Sequence, residues 1–211
     1  MRHEGLMPSS LNLADVFNDG VREHLAIIRQ LDAQQDAFEQ AAILITDSLS
    51  RGNKVIWCGN GGSAGDAQHL AAELVGHFRR PRSALASIAL TTNTSLLTAI
   101  ANDFSFNEVF ERQIDAMCQP GDVVVGISTS GNSRNVCAAL RRARELEAAT
   151  IALTGKTGGR LAPLADVCIR VPSGNPARIQ EAHILCGHML CEWIEAATCI
   201  NHAVAVSGGS L

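Results

Sequence analysis

The sequence lacks the features that mark several large classes of protein. It has no excess of basic charge, because 17 Lys and Arg residues stand against 21 Asp and Glu residues and the net charge is −4. We therefore expect no nucleic-acid partner. No apolar run approaches the roughly 18 residues of a membrane span, so we also expect no membrane partner. The N-terminus, MRHEGLMPSSLNLADVF, lacks the apolar segment of a signal peptide. This predicts a cytoplasmic protein.

Cysteine is present, but no two cysteines form a CxxC pair. The seven cysteines are an odd number, and most of them stand in apolar surroundings, where a free thiol acts as a small hydrophobe. This pattern suits a reducing compartment and argues against a disulfide scaffold or a cysteine zinc site.

The remaining composition is that of a globular chain with a well-supplied core, since 46% of the residues are hydrophobic and 18% are charged. A length of 211 residues predicts a single domain over 1–211. Apolar residues recur every three or four positions from Phe17 to Leu31 and again from Phe38 to Leu49, which predicts a pair of amphipathic helices within residues 10–52. We expect this pair to pack on the main body or on another subunit. An α/β core follows over 54–200, and 201–211 is predicted to be a loose tail.

From Lys54 onward, short apolar strands alternate with helices. We predict strands at 54–58, 86–91, 122–127, 149–153 and 166–171. We predict the main helices at 64–77, 107–118, 132–147 and 177–198. This alternation predicts an α/β fold with a doubly wound, five-stranded parallel sheet in a flavodoxin-like order, flanked by helices and preceded by the N-terminal helical pair.

The first strand runs into a glycine-rich turn and then a helix. The turn consists of Gly59, Asn60, Gly61, Gly62 and Ser63. Backbone N–H groups at such a helix start point at an anion, and the helix dipole favours it. The turn is therefore a candidate phosphate site.

Two other readings of glycine-rich sequence are weaker. Gly59, Gly61 and Ala64 satisfy G-x-G-x-x-A, but a dinucleotide site also needs an acidic residue at the end of the second strand, where Leu90 and two threonines stand. This argues against a nicotinamide cofactor. The GKT that begins at Gly155 resembles the end of a P-loop, but the glycine required five residues earlier is absent.

A second loop, STSGNS, follows the strand that contains DVVVGI. It offers four hydroxyl groups, a glycine and the start of a helix, which together favour an anion site. Helix capping by Ser130 or Ser133 is the alternative. Ligands of doubly wound sheets lie beyond the carboxyl ends of the strands. Two phosphate-type loops after the first and third strands fit an order in which those strands are neighbours.

Several polar side chains could carry chemistry. His69 and Glu73 are four residues apart, so they share one helix face. The last helix is largely apolar but contains Gln180, His183 and His188. A buried histidine bonded to a backbone carbonyl is the expectation for His183, whereas Gln180 and His188 are better candidates for a site.

Two further points concern geometry. Gln180 and His188 are eight residues apart, a rise of about 12 Å on a helix, whereas zinc ligands lie about 2 Å from the metal. If both serve one site, they should come from two subunits, which predicts an obligate oligomer. Asn102 and Asp103 follow the second strand, and they could contact substrate hydroxyls or cap a helix that begins near Phe106.

Five segments in this order and spacing resemble the sugar isomerase (SIS) family, and within it the phosphoheptose isomerases. The segments are CGNGGSAGDAQHLAAEL, LTAIANDFSFNEVF, GDVVVGISTSGNSRNV, TIALTGKTGG and ARIQEAHILCGHML. The resemblance runs from about residue 35 to residue 195. It implies aldose–ketose isomerisation of sedoheptulose 7-phosphate to D-glycero-D-manno-heptose 7-phosphate, the first step of nucleotide-activated heptose biosynthesis.

The resemblance also implies the assembly and the roles of residues. It implies a homotetramer with active sites at subunit interfaces and one zinc per subunit. The implied zinc ligands are His69, Glu73, Gln180 and His188. Glu73 and His188 are also the implied acid/base pair, and we assign Glu73 as the base and His188 as the acid of an enediol mechanism. The expected substrate contacts, with Ser63 and Gln180 included, are Asn60, Gly61, Gly62, Ser63, Glu73, Asn102, Asp103, Ser128, Thr129, Ser130, Ser133 and Gln180.

The sequence departs from the family pattern at two positions. Many relatives carry aspartate where this chain has Ala177 and Asn93, which puts in question how sugar hydroxyls are held. The rival interpretation is a non-catalytic sugar-phosphate sensor or adaptor tetramer, similar to the replication initiator-associating protein. That protein lacks the glutamate at the position of Glu73, which this chain keeps.

Overall fold

The computed structural model describes residues 12–207, with side chains to residue 199. In this range the strands are β1 (Val55–Gly59), β2 (Ser87–Ala89), β3 (Val123–Ser128), β4 (Ala149–Gly155) and β5 (Val167–Val171). The α-helices are α1 (Leu13–Ile28), α2 (Gln35–Ser50), α3 (Gly62–Val75), α4 (Thr94–Asp103), α5 (Glu111–Met117), α6 (Arg134–Glu145) and α7 (Pro176–Ser207). Short 3₁₀ turns cover Leu31–Gln34, Phe106–Glu108 and Ala162–Leu164.

The five strands form one parallel sheet in the order β2-β1-β3-β4-β5. This confirms the predicted α/β fold and its flavodoxin-like order. β1 and β3 are neighbours, and the last residue of β1, Gly59, pairs with Ile127 near the end of β3. The glycine turn and the serine loop therefore leave the sheet side by side at its carboxyl edge.

Helices cover both faces of the sheet, because alternate residues of each strand point to opposite sides. Val55 and Trp57 of β1 face one apolar cluster, which α2, α3 and α7 complete. Ile56 and Cys58 face the other, which α5 and α6 complete together with residues of α4. The core is thus split by the sheet, as a parallel sheet requires.

The N-terminal pair packs on the main body within the same chain. Ile27 of α1 lies in a small buried cluster with Val171, Ile179 and Ala182. The rest of α1 leaves a stripe of exposed apolar residues, among which Leu13 is 83% exposed and Phe17 is 69% exposed.

The region after β2 differs from the prediction. Asn93 is the N-cap of α4, and its side chain accepts a hydrogen bond from the backbone N–H of Leu96 at 3.1 Å. Asn102 and Asp103 lie in the last turn of α4 and do not cap a following helix, a role that Ser105 takes for the turn at Phe106–Glu108. The predicted helix 107–118 is that turn followed by α5.

The last helix is longer than predicted. The sequence predicts an end near residue 198 and a tail over 201–211, but α7 continues to Ser207. No glycine or proline interrupts the chain between His188 and Gly208, so there is no local stop signal in that stretch. The final four residues and residues 1–11 lie outside the described part. Within the described range, no helix combines the length and the apolar character that crossing a membrane requires.

Candidate active site

The glycine turn forms the start of α3. Gly61 has a φ of +55°, a left-handed conformation that favours glycine, and it directly precedes the helix. Gly61 and Gly62 are exposed, Asn60 is partly exposed, and Ser63 is buried beneath them. The backbone at this helix N-terminus is therefore exposed to solvent, and its binding of an anion stays a prediction.

The serine loop brings its hydroxyl groups together. The Ser128 Oγ lies 2.9 Å from the Ser133 Oγ and 3.4 Å from the Ser130 Oγ. Ser133 directly precedes α6 but makes no side-chain capping bond, so the capping alternative does not account for its position. The end of β4 and the loop after it support this arrangement, because the Gly155 N–H donates to the carbonyl of Thr129 and the Leu161 N–H donates to that of Gly131.

A pair of amides joins the two loops. The Asn60 Nδ2 donates to the Asn135 Oδ1 at 2.8 Å, and the Asn135 Nδ2 donates to the Asn60 Oδ1 at 2.9 Å. Asn135 was not predicted as a site residue, although it lies within the segment GDVVVGISTSGNSRNV. Its distance of only two residues from Ser133 was the available signal.

A second cluster lies between α3 and α7. The Nε2 atoms of His69 and His188 are 2.9 Å apart, and the His69 Nε2 is 3.3 Å from the Glu73 Oε1. One ligand atom from each of the three residues lies within 4.8 Å of the other two. One chain therefore brings three of the four predicted metal ligands together, and we call this set the histidine cluster.

The close approach of α3 and α7 depends on a small residue. Gly187 precedes His188, and a Cβ at this position would lie 2.5 Å from the Leu70 Cδ1. Leu70 follows His69 and is fully buried. A larger residue at 187 would therefore push against the core directly beside the two histidines.

Gln180 lies at a different place from the histidine cluster in the same chain. Its Nε2 donates to the Asp66 Oδ1 at 3.2 Å, close to Gly62 at the start of α3. Burial raises the pKa of the Asp66 carboxyl, and the Gln180 hydrogen bond and the two nearby histidines only partly oppose it. Asp66 was missed in the sequence, although its spacing of three from His69 puts it on the same helix face.

A buried ion pair lies behind the histidine cluster. Arg82 caps the end of α3 by donating to the carbonyls of Glu73 and Leu74, each at 2.8 Å, and its Nε is 3.5 Å from the Glu195 Oε2. The Glu195 carboxylate also accepts backbone N–H bonds from residues 78–80. These bonds hold the Phe78 ring stacked on His188, with centroids 5.4 Å apart.

The charge state of Glu195 follows from these contacts. Burial raises the pKa of its carboxyl, but the three N–H donors and the Arg82 guanidinium outweigh burial and hold the pKa below its ordinary value. The carboxylate is therefore ionised at neutral pH, and the ion pair is intact there.

The remaining predicted residues lie apart from these clusters. Asn102 and Asp103 are exposed, and in the described part of the chain their side-chain hydrogen bond joins them only to each other, at 2.8 Å. The structure therefore does not bring them to either loop within one chain. His183 is 1% exposed, and its Nε2 is 3.1 Å from the carbonyl of Thr154, as expected for a histidine of the core. Burial lowers the pKa of His183 to about 4.

The donor atoms of the histidine cluster suit a zinc ion. Imidazole nitrogens and a carboxylate oxygen are common zinc ligands, and three protein ligands with an open position are typical of catalytic zinc. Ligand atoms about 2.0 Å from a tetrahedral ion lie about 3.3 Å apart, which is close to the observed separations of 2.9 and 3.3 Å. The residues therefore fit the metal.

The fold and the two loops at its carboxyl edge fit a SIS-domain protein. The model of the SIS domain family matches residues 19–155, which include β1, β3 and both loops.

Individual relatives indicate to which group of the SIS family the chain belongs. The chain is 51% identical over 184 residues to a phosphoheptose isomerase of Aquifex aeolicus, covering 87% of this chain and 95% of the relative. The solved phosphoheptose isomerase GmhA of Neisseria gonorrhoeae superposes with a TM-score of 0.83 at 43% identity, covering 88% of this chain and all of that one. A phosphoheptose isomerase from Francisella tularensis gives a TM-score of 0.85 at 36% identity, with the same coverage. The chain belongs to the SIS family, in the group of the phosphoheptose isomerases.

Proposed function

We propose that this protein is an aldose–ketose isomerase that converts sedoheptulose 7-phosphate to D-glycero-D-manno-heptose 7-phosphate through an enediol. The observation that carries the proposal is the histidine cluster at one end of a site whose other end consists of two anion-binding loops. The high identity of the chain to phosphoheptose isomerases, over nearly their full length, supports the same reaction. The product would enter nucleotide-activated heptose biosynthesis.

The two ends of the site match the two ends of such a substrate. The glycine turn begins α3, and His69 follows seven residues after Gly62, a rise of about 10 Å. This separation leaves room for an open-chain sugar between a phosphate at the loops and a carbonyl at the histidine cluster. Binding energy from the phosphate would fix the position of the reacting carbons.

The reaction moves one proton between neighbouring carbons. Glu73 removes the proton from the carbon beside the carbonyl, which gives the enediol, and returns it to the other carbon. His188 donates a proton to the carbonyl oxygen and takes one from the neighbouring hydroxyl, so that no net proton is consumed. The Phe78 ring stacked on His188 holds the imidazole in one orientation for both steps.

We propose zinc as the metal, held by His69, Glu73 and His188, with Gln180 as the fourth ligand. When bound, it would supply Lewis acidity at the substrate carbonyl. Because a carboxylate bound tightly to a cation is a weak base, Glu73 would have to be bound only weakly to the metal in order to act as the base.

The direct test is incubation of the purified protein with sedoheptulose 7-phosphate, with detection of the manno-heptose 7-phosphate. Glu73→Gln is the matched control, since it keeps the side-chain shape and removes the base. We expect conversion by the wild type and none by the variant. No conversion by the wild type in the presence of zinc would sink the isomerase proposal, and equal conversion by both would sink the role of Glu73.

We further propose a homotetramer in which Gln180 joins the histidine cluster of a neighbouring subunit. The support is the position of Gln180, which contacts Asp66 near the start of α3 while His188 lies two turns further along α7. The exposed apolar stripe of α1 and an exposed Trp193 on α7 offer surfaces for the contact between subunits.

Mixing inactive variants tests this sharing. Gln180→Ala and Glu73→Gln subunits are co-expressed, and the hybrid oligomers are assayed. If each site takes Glu73 and Gln180 from different subunits, random assortment restores about one quarter of the sites in a symmetric oligomer. No restoration in hybrids of confirmed mixed composition would show that both residues serve the same chain.

A non-catalytic sugar-phosphate sensor needs only the two loops. The histidine cluster, with Glu73 in contact with His69, favours the enzyme over the sensor. We also propose a cytoplasmic location, because the seven cysteines are all free thiols, as a reducing compartment keeps them.

A further inference from the structure

Asn135 lies behind the substrate-facing surface, at the point where the glycine turn and the serine loop meet. It is the second residue of α6 and only 2% exposed. Its Oδ1 accepts from the Asn60 Nδ2 at 2.8 Å and from the Val136 N–H at 3.0 Å, and its Nδ2 donates to the Asn60 Oδ1 at 2.9 Å. A buried side chain is thus engaged by two hydrogen bonds to one partner in the opposite loop.

The reciprocal bonds fix the carboxamide of Asn60 in one orientation. An amide group has two N–H donors and an oxygen with two lone pairs, and the pair with Asn135 uses one donor and one lone pair of Asn60. The other donor and the other lone pair stay available on the partly exposed side chain. Without Asn135, the Asn60 amide could rotate and exchange its donor and its acceptor.

The same bonds set the distance between the loops. Asn60 follows β1, Asn135 follows the serine loop, and the two strands beneath them are paired directly. The sheet fixes the strands but not the residues beyond their ends, so a side-chain link is needed above the edge. A substrate held by both loops would have its phosphate placed relative to the glycine turn by this link.

We propose that Asn135 is a positioning residue, which acts through Asn60 to set the glycine turn relative to the phosphate-binding serine loop. It is almost fully buried, and it is not among the residues that the family resemblance assigns to the site. The inference rests on the proposed function, because it assumes a sugar phosphate that spans both loops.

A double-mutant cycle between Asn60→Ala and Asn135→Ala tests the proposal. We expect kcat/KM to fall by about 10- to 100-fold in Asn135→Ala, because Asn60 loses a buried hydrogen-bonding partner. If Asn135 acts through Asn60, the double variant is no worse than Asn60→Ala alone. Asn135→Asp keeps the acceptor for the Asn60 Nδ2 but loses the donor to the Asn60 Oδ1, so we expect it to recover none of the loss or only part of it.

The chain offers a matched control at the opposite edge of the same two strands. Asn53 precedes β1, and its Nδ2 donates to the carbonyl of Pro120, before β3, at 3.0 Å. Asn53→Ala removes a side-chain link between the segments that precede the same two strands, at the edge of the sheet opposite to the two loops. We expect it to lower the melting temperature without changing kcat/KM.

Three results would overturn the proposal: unchanged kcat/KM for Asn135→Ala, losses that multiply in the double variant, or an equal loss of kcat/KM for Asn53→Ala. The same cycle is measured by titration calorimetry with sedoheptulose 7-phosphate. If the wild type binds the sugar phosphate without isomerising it, the proposed function fails while the coupling of Asn60 and Asn135 is still measured as affinity. Absence of binding by the wild type would overturn both.

Discussion

The two ends of the site are constructed in opposite ways. At the loop end, buried Ser128 contacts two other hydroxyls, and buried Asn135 holds Asn60, so the polar groups are already joined to one another. At the histidine end, two imidazoles and a carboxylate converge with 48% of the His69 side chain exposed. Within one chain the polar groups of the loop end bind one another, whereas the three side chains of the histidine end converge on a partly exposed space between them.

This difference indicates that the loop end is suited to binding and the histidine end to proton transfer. A site that binds a phosphate gains from preorganised donors, because the ligand then meets groups that need no rearrangement. A site that moves protons needs side chains whose bonds can change during turnover. Substitutions at the loop end should therefore act mainly on KM, and substitutions at the histidine end should act mainly on kcat.

Removing His188 should have the largest effect. We expect His188→Ala to lower kcat by at least about 10³-fold, because both the proposed acid and a proposed metal ligand are lost. The affinity for sedoheptulose 7-phosphate, measured by calorimetry, should change much less. Zinc content measured by plasma mass spectrometry should fall in parallel with kcat.

Chelation of the wild type is the matched control for the metal. Treatment with chelator should remove activity, and added zinc should restore it to the wild type but not to His188→Ala. Full activity in a protein shown to be free of zinc would remove the metal from the histidine end.

The buried ion pair behind His188 should give the next largest effect, on stability. Glu195→Ala leaves Arg82 without its buried partner, and breaking such a pair costs about 3–5 kcal/mol. We expect a large fall in the free energy of unfolding, measured with urea, and weaker zinc binding, because Phe78 loses its fixed position on His188.

A surface ion pair provides the comparison for Glu195. Glu192 is paired with Arg79 at 2.5 Å, but both side chains are more than half exposed. Exposed pairs contribute about 0–1 kcal/mol, so Glu192→Ala should change stability little. Similar losses for the two variants would contradict the importance assigned to the buried pair.

The parts of the molecule that could be predicted from sequence are those set by local pattern. Strand periodicity predicted the sheet, and a spacing of four residues predicted that His69 and Glu73 meet, because both depend on residues close in the chain. The loops after β1 and β3 were predicted for the same reason. Helix α4 was missed, although Asn93 is a good cap, because only four residues separate its start from the end of the very short strand β2.

The parts that could not be predicted depend on distant packing. The contact of Glu195 with the backbone of Phe78 joins residues 117 positions apart, and no local pattern marks it. From sequence alone, Gly187 is only an unfavourable residue in a helix. The structure shows that Leu70 packs against it and leaves no room for a side chain. Asn135 is likewise an ordinary first-turn residue by its sequence, and only the fold brings it into hydrogen-bonding contact with Asn60.

A substitution at the loop end should have a smaller effect than those at His188 and Glu195, and it should act on KM and not on kcat. Ser130→Ala removes a hydroxyl from the serine loop, and a hydrogen bond to a charged group contributes about 1.5–3 kcal/mol. We expect KM to rise about 10- to 100-fold with kcat within about threefold of the wild type. Steady-state kinetics with sedoheptulose 7-phosphate measure both.

Ser50→Ala is the control for the serine loop. Ser50 is exposed at the end of α2, and its hydroxyl donates to the carbonyl of Asp47 at 2.8 Å. Its loss should leave both kinetic constants unchanged. If Ser130→Ala lowered kcat and left KM unaltered, the division between the two ends of the site would be wrong.

The smallest effect concerns His183, which lies on α7 between the two ends and belongs to neither. Its pKa is lowered by burial from 6.5 to about 4 in the folded protein, so the unfolded chain binds a proton on acidification before the folded one does. Stability from this group is therefore present above pH 6.5 and is lost as the pH falls towards 4. Between pH 7.5 and 5.5 the loss should be about 1.4 kcal/mol. His183→Gln can keep a donor towards the Thr154 carbonyl but cannot titrate. Between pH 7.5 and 5.5 the free energy of unfolding, measured with urea, should therefore fall by about 1.4 kcal/mol less in the variant than in the wild type. Because the other histidines are common to both proteins, parallel pH profiles would mean that His183 is protonated equally in the folded and unfolded states, and that it is not a neutral residue of the core.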